Sequence, residues 1–159
     1  MKGHNLVYSV SMTTRKPRAN EVDGVDYYFV DKKTFEKNIE DDKFLEWAEF
    51  VGEYYGTPKD KVEEKLEQGK EVVLEIEVDG ALQVRDKMKE AVMIFLVPPS
   101  KEALYKRLVE RGTENPKLID SRFKKAEKEF LLAYKYDYIV VNDDVDNAAD
   151  KIMTIIRAE

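Results

Sequence analysis

Four short apolar runs, rich in valine and isoleucine, alternate along the chain with segments of helical periodicity. The runs are Leu6–Met12, Val72–Ile76, Val92–Val97 and Tyr138–Val141. Runs of this kind are typical of strands buried on both faces of a parallel sheet. Their alternation with helices predicts an α/β fold, in which helices flank the sheet.

Capping signals place helices between these runs. Thr57 offers a capping hydroxyl before Pro58 at a first helical position, and Gly69 follows the periodic stretch as a stop. These signals bracket a helix of roughly three turns. Further helices are expected after Ser100 and after Asn115-Pro116, and a last one closes the chain.

Residues 22–57 have a different pattern. Asp26–Val30 and Phe44–Phe50 alternate between apolar and polar positions as strands do, and the segment between them reads as a short helix capped by Asp31. The pattern predicts a small α+β subdomain inserted into the α/β body.

The remaining organisation is simple. No internal repeat or low-complexity linker interrupts the 159 residues, so a single domain over residues 1–159 is expected. Glycine, asparagine and proline lie among charges in Glu110–Lys117, which predicts a lid in the region 107–122.

Composition narrows the classes of function. A formal net charge of -6 argues against a broad nucleic-acid interface. The sequence has no cysteine and a single histidine, His4, which excludes disulfides, thiolate metal sites and histidine metal clusters. Any divalent metal would need oxygen ligands. No apolar run could cross a bilayer and no export leader is visible, so a cytoplasmic protein without membrane partners is expected.

A polar, cationic loop, residues 11–18, follows the first apolar run. Arg15 and Arg18 stand three residues apart, and guanidinium groups bind phosphate oxygens bidentately. Three hydroxyls can donate beside them, those of Ser11, Thr13 and Thr14. The loop therefore suits a phosphate, although a solvated turn with exposed charges is the alternative.

The predicted subdomain carries a candidate base-recognition site. Glu46 lies between Leu45 and Trp47 in an otherwise apolar strand, where a carboxylate needs a partner. Guanine offers two donors, N1–H and the exocyclic amine, to one carboxylate, and its O6 can accept from a hydroxyl such as that of Thr57. The alternative is that Glu46 faces water on an alternating strand.

Two further clusters lie at predicted element ends. Glu75 and Glu77 follow an apolar strand start, at the edge of an α/β sheet where ligands bind, and could position a nucleotide or a metal-bound water. Surface charge is the alternative there.

Arg107 and Arg111 stand at i and i+4 on one helix face, and Arg122 lies downstream. Three arginines around a lid suit a triphosphate, whose charge grows on the transferring oxygens. Surface ion pairs with Glu110 or Asp120 are the ordinary alternative.

In order and spacing, these segments resemble the guanylate kinase signature over nearly the whole chain. The matching segments are Ser9–Arg18, Glu21, Gly24–Tyr27, Phe44–Phe50, Tyr54–Pro58, Glu75–Glu77, Arg107–Glu114, Arg122 and Val140–Asp143. The resemblance implies a parallel sheet flanked by helices, a GMP-binding subdomain at residues 22–57 and a helical lid.

The resemblance also implies roles for individual residues. The GMP phosphate would be held by Arg15, Arg18, Tyr27 and Tyr55. The guanine would be recognised or supported by Ser11, Glu46, Thr57 and Glu77, with Glu21 and Glu75 supporting the site. ATP would be clamped by Arg107, Arg111 and Arg122, with Asn142 near adenine. The residues that would act in catalysis are Arg15, Arg107, Arg111 and Arg122. Family members often carry aspartate at the positions of Glu75 and Glu77.

One departure from the family pattern concerns the N-terminus. In the family a first strand, a phosphate-binding glycine loop and a first helix precede the Leu6–Met12 run, and no Gly-x-x-x-x-Gly-Lys-Ser/Thr motif occurs in these 159 residues. The expectation is a chain that lacks this segment, whose exposed sheet edge would offer a route to self-association.

Three functions remain open. The first is ATP-dependent phosphorylation of GMP or dGMP, with Mg²⁺ accompanying ATP as the resemblance implies. The second is a non-catalytic binding module like the guanylate kinase-like domains of membrane-associated scaffold proteins. The third is a GMP-binding remnant.

Overall fold

The computed structural model describes residues 5–110 and 115–159 and divides the chain into two compact units, Met1–Ala91 and Val92–Glu159. Helices and strands alternate in both units, which confirms the α/β class. A single domain over residues 1–159 stays a prediction. No described helix has the length and apolar character needed to cross a membrane.

The first unit contains two sheets. Its described elements are β1 (Leu6–Tyr8), β2 (Met12–Thr13), β3 (Tyr28–Phe29), α1 (Lys32–Glu40), β4 (Phe44–Phe50), β5 (Glu53–Pro58), α2 (Lys59–Glu67), β6 (Glu71–Val73) and α3 (Val78–Lys87). Strands β1 and β6 pair in parallel, and the other sheet has the order β3-β2-β5-β4. The prediction that Leu6–Met12 forms one strand is wrong, because its two ends belong to different sheets.

The four-stranded sheet and α1 lie largely within residues 22–57, the segment predicted as a subdomain, and β2 joins the sheet from outside that segment. Asp31 caps α1 by accepting from the Thr34 N–H at 2.8 Å, as expected. Strand β5 was not predicted, and it runs antiparallel to both β4 and β2. Gly56 of β5 lets the Phe44 ring pack directly against the strand, since a Cβ at Gly56 would lie 2.8 Å from that ring. The strand expected at Asp26–Val30 is shorter, at Tyr28–Phe29.

The start of α2 differs from the predicted cap. Helix α2 begins at Lys59, and Pro58 occupies the N-cap position without a side-chain hydrogen bond. The Thr57 hydroxyl instead donates to Glu46, a partner that local sequence does not reveal. Gly69, with φ of 76°, follows the helix end as predicted.

Helix α3 packs on the sheet through both apolar and polar contacts. Buried Leu45 of β4 and Val84 of α3 belong to one core cluster with Val62 of α2. Beside them, the Gln83 amide bonds to both backbone groups of Trp47, accepting from its N–H at 3.2 Å and donating to its carbonyl at 3.0 Å. The middle of α3 is therefore held against β4.

The second unit is a parallel strand pair with helices. Its described elements are β7 (Ile94–Val97), α4 (Lys101–Glu110), α5 (Pro116–Phe130), a 3₁₀ turn (Ala133–Lys135), β8 (Tyr138–Val141) and α6 (Val145–Ala158). The helices predicted after Ser100, after Asn115-Pro116 and at the end of the chain are confirmed. Asn115 caps α5 by accepting from the Lys117 N–H at 3.0 Å.

Candidate functional site

The cationic loop after β2 is organised around one bidentate ion pair. Arg15 donates from Nη1 and Nη2 to the two oxygens of Glu21, at 2.8 and 2.9 Å, and the Arg18 N–H donates to the same carboxylate at 2.8 Å. Both paired side chains are less than one-fifth exposed. Glu21 therefore fixes the Arg15 fork and the loop backbone together, while Lys16 and Arg18 are exposed as the alternative expects.

The ion pair sets the charge state of both groups. The hydrogen bonds from Arg15 and from the Arg18 N–H lower the pKa of Glu21 to about 2. The hydrogen bond to Glu21 raises the pKa of Arg15 above its already high ordinary value. Both groups are ionised at neutral pH, so the arginine is a permanent cation in a fixed position.

Two tyrosines stand beside Arg15. Its guanidinium carbon lies 5.2 Å from the centre of the Tyr27 ring, and the Tyr55 hydroxyl contributes to the raised pKa of Arg15. The two tyrosine rings meet edge to face, with centroids 6.2 Å apart. The structure thus brings together three of the residues expected at a phosphate, whereas the Arg18 side chain is exposed.

Two hydroxyls proposed as phosphate donors are engaged elsewhere. Thr13 is fully buried and donates to the Tyr54 carbonyl at 2.8 Å, while Thr14 donates to the carboxylate of Glu53. These bonds tie β2 to β5. The expectation that Thr13 and Thr14 donate to a ligand is wrong for this state of the protein, since each hydroxyl has one proton.

Glu46 is a buried carboxylate on β4. Its side chain is 6% exposed and accepts from the Thr57 hydroxyl at 2.7 Å, so the alternative that it faces water is wrong. Burial raises the pKa of Glu46, the Thr57 hydrogen bond lowers it, and the charge of Glu77 raises it. A buried carboxylate with one protein donor is suited to accept from a ligand.

The other residues expected near the base lie before β2 and between β6 and α3. Ser11 directly precedes β2 and is half-buried, and its carbonyl accepts from the Tyr28 N–H at 2.8 Å. Glu75 is exposed between β6 and α3, because β6 ends at Val73, earlier than predicted. Glu77 is the exposed N-cap residue of α3.

The second unit contains the residues expected to bind ATP. Arg107 donates from Nη2 to the Asn142 carbonyl at 2.7 Å, which joins the end of α4 to the end of β8. Arg111 lies outside the described residues. Arg122 is half-buried on α5.

The two carboxylates that could have paired with these arginines, Glu110 and Asp120, pair with lysines. Glu110 pairs with Lys106 at 3.9 Å and Asp120 pairs with Lys124 at 3.2 Å. Over residues 5–110 and 115–159 no cluster of three or more histidine, aspartate or glutamate side chains could hold a metal ion.

Gly80, on the first turn of α3, was missed from sequence. A Cβ at this position would lie 2.5 Å from a carboxylate oxygen of Glu46. A signal was present, because an isolated glycine in a helical pattern is unfavourable and usually has a packing reason.

Comparison with known proteins gives consistent matches. A family model described as guanylate kinase matches residues 1–159. The guanylate kinase of Onion yellows phytoplasma (strain OY-M) is 61% identical over 160 residues, which cover 100% of this chain and 76% of that protein. That of Bacillus subtilis (strain 168) is 55% identical over 152 residues, covering 96% of this chain and 74% of that protein.

A solved structure agrees. The crystal structure of guanylate kinase from Anaplasma phagocytophilum has a TM-score of 0.80 and 37% identity, and the match covers 97% of this chain and 76% of that chain. The α/β fold and these relatives place the protein, by resemblance, among the kinases, a class of transferases. The chain belongs to the guanylate kinase family.

These matches leave one expectation without support. The family model and the Onion yellows phytoplasma relative match the whole of this chain, and the matches do not support the expected absence of a first strand, a phosphate-binding loop and a first helix. That absence stays a prediction.

Proposed function

We propose that the protein binds GMP or dGMP and takes part in transfer of the γ-phosphoryl group of ATP to it. The observation that carries the proposal is that one small sheet bears both an ordered cation for the phosphate, Arg15, and a buried carboxylate for the base, Glu46. A rigid element that holds both groups can fix the length and orientation of a nucleotide between them.

The phosphate half of the proposal rests on the donors of Arg15. Its bonds to Glu21 and to the Lys16 carbonyl use three of the five guanidinium N–H groups. The other two, on Nε and Nη2, share one edge of the guanidinium. Because the Tyr55 hydroxyl also bonds to Arg15, a phosphate that engages this edge side-on would lie beside Tyr55 and take over one of its contacts. Arg18, Tyr27 and Tyr55 would complete this half.

The base half rests on Glu46. Its carboxylate would accept from N1–H and from the exocyclic amine of guanine, a pattern that adenine cannot offer. Because the Thr57 hydroxyl already donates to Glu46, we assign Thr57 to holding the carboxylate rather than to donating to O6. Ser11, Glu75 and Glu77 would support the base.

The transfer itself would be an in-line displacement. A bond forms between an oxygen of the GMP phosphate and the γ-phosphorus of ATP as the bond to ADP breaks, with no covalent enzyme intermediate. Arg107, Arg111 and Arg122 would stabilise charge on the transferring group, and Asn142 would lie near adenine. Mg²⁺ would enter with ATP, and no step is assigned to it.

A non-catalytic binding module is the second candidate. It is favoured by the lack of a Gly-x-x-x-x-Gly-Lys-Ser/Thr motif in the 159 residues, because that loop supplies phosphate-binding N–H groups, a lysine and a metal-holding hydroxyl. A module of this kind would bind GMP and show no transfer, whereas the first candidate requires ADP formation from ATP in the presence of GMP.

Titration calorimetry with GMP, dGMP and AMP, beside a coupled assay for ADP formation, tests both candidates. Heat with GMP and dGMP but not with AMP is the expected result. A folded chain that gives no heat with GMP at millimolar concentration would be incompatible with the proposal. Ordinary turnover by the 159-residue chain alone would exclude the binding-module candidate.

A further inference from the structure

The backbone of α3 makes a close approach to the Glu46 carboxylate at Gly80. A Cβ built on Gly80 would lie 2.5 Å from Oε2 of Glu46, 3.1 Å from its Cδ and 3.4 Å from its Cγ. The first distance is shorter than real Cβ contacts. All three atoms belong to the end of one side chain, so Gly80 makes room for that carboxylate in particular.

Helix propensity alone does not favour glycine here. Glycine inside a helix is less favourable than alanine, and Gly80 has no positive φ that would require it. The neighbouring Ala81 shows that a methyl group is tolerated at another buried position of the same turn. The close approach to Glu46 is the structural reason for glycine at this position.

Both sides of the contact are held by hydrogen bonds, the helix more firmly than the Glu46 side chain. The Glu46 side chain is 6% exposed and is held at Oε1 by Thr57. Helix α3 is held to β4 three residues after Gly80, because Gln83 bonds to both the N–H and the carbonyl of Trp47, the residue that follows Glu46. A methyl group at Gly80 would therefore turn the carboxylate away from its present orientation, since a side-chain rotation costs less than separating the helix from the sheet.

We propose that Gly80 is a positioning residue for base selection, because the absence of a Cβ lets the first turn of α3 set the orientation of the Glu46 carboxylate. The inference rests on the proposed function, in which that carboxylate accepts two donors of guanine. A carboxylate in the wrong orientation loses its second acceptor contact before its first. Gly80 would thus determine how strongly the site prefers a base that carries an exocyclic amine.

The test compares GMP with inosine monophosphate (IMP), which keeps N1–H and O6 but lacks the exocyclic amine. The measured quantity is the ratio of the Kd for IMP to the Kd for GMP, by calorimetry, in the parent and in Gly80→Ala. We expect the ratio to fall about tenfold in Gly80→Ala, the size of one lost hydrogen bond to a charged group. Asp86→Ala, at an exposed position of α3, is the matched control and should keep the parent ratio.

A purely structural role predicts another result. If Gly80 only lets α3 pack, Gly80→Ala should weaken GMP and IMP equally and leave their ratio unchanged, which would overturn the inference. A parent chain that binds GMP no better than IMP would overturn it as well. A parent chain that binds neither nucleotide would overturn the proposed function together with the inference.

A second variant covers the case in which Gly80→Ala does not fold. Glu46→Asp withdraws the carboxylate by one methylene, so the double variant Gly80→Ala/Glu46→Asp should fold and regain much of the thermal midpoint. In a Glu46→Ala background, Gly80→Ala should no longer destabilise, because the obstructing side chain is gone. Destabilisation of equal size with and without the Glu46 side chain would refute the contact as the reason for glycine.

Discussion

Replacing Glu46 by glutamine separates base recognition from folding. The buried carboxylate is replaced by a group of the same shape, in which one oxygen can still accept from Thr57. The other oxygen becomes an NH₂ group, which would face a guanine donor. A hydrogen bond to a charged group contributes about 1.5–3 kcal/mol, so losing one such bond and the charge on the other should cost about 3 kcal/mol, or roughly 100-fold in the Kd for GMP.

Unlike the affinity for GMP, the stability of Glu46→Gln should be unchanged or higher than that of the parent. Burial holds the pKa of Glu46 above its ordinary value of 4.5. A raised pKa contributes stability that is fully present below the ordinary value and is lost as pH rises through the folded-state value. The parent loses this contribution as pH rises through the raised pKa of Glu46, whereas a glutamine stays neutral at every pH. The thermal midpoint of Glu46→Gln at pH 7 should therefore equal or exceed that of the parent.

Calorimetry with GMP and a thermal melt followed by the fluorescence of Trp47 measure the two quantities. Trp47 reports on the sheet, because its ring packs edge to face on Tyr54 at 5.8 Å. Glu49→Gln is the matched control, since it makes the same change at an exposed position of β4. If Glu46→Gln binds GMP as tightly as the parent, or if Glu49→Gln loses as much affinity, the assignment of Glu46 to the base is wrong.

Two further predictions concern the same sheet. Glu21→Gln should lower the thermal midpoint at pH 7. The difference from the parent should shrink as pH falls from about 4.5 toward 2, because the depressed pKa of Glu21 contributes stability that is lost over that range. Thermal melts from pH 7 to pH 2.5 measure this difference, and a difference independent of pH would contradict the prediction. Val51→Asn should raise the free energy of unfolding in urea by about 1 kcal/mol, since the exposed Val51 has φ of 50° at the β4–β5 turn, a conformation that asparagine tolerates and valine does not. An unchanged or lower value would refute the strain at this turn.

The helices could be predicted from the sequence because the bonds that start them join residues close together in the chain. Asp31 and Asn115 cap α1 and α5 through bonds to residues three and two positions on, and such bonds form wherever the chain turns into a helix. Thr57-Pro58 carried the same signal and was misleading. There a partner eleven residues away, Glu46, takes the hydroxyl, and the segment becomes the end of a strand.

In the candidate site too, features set by neighbouring residues were predicted and contacts between distant residues were not. The sequence predicted a cationic loop and a carboxylate in an apolar strand, both of which the structure contains. It could not predict that Thr13 and Thr14 bond to β5, because that strand was itself missed. Nor could it predict the approach of Gly80 to Glu46, which depends on how α3 packs against β4.

The pKa values of two carboxylates, Glu21 and Glu46, are shifted in opposite directions by their surroundings. Glu21 forms a bidentate ion pair with Arg15, which lowers the pKa of Glu21 and fixes the position of the arginine. Glu46 is buried with one hydroxyl donor, so its pKa rises and its acceptor capacity is not fully used by the protein. A ligand that brings a phosphate to Arg15, which Glu21 holds in place, and two N–H donors to Glu46 would complete both environments. Since N–H donors favour the ionised form of a carboxylate, we expect GMP binding to lower the pKa of Glu46 and to release protons when measured near that pKa, which calorimetry in buffers of different ionisation enthalpy would detect.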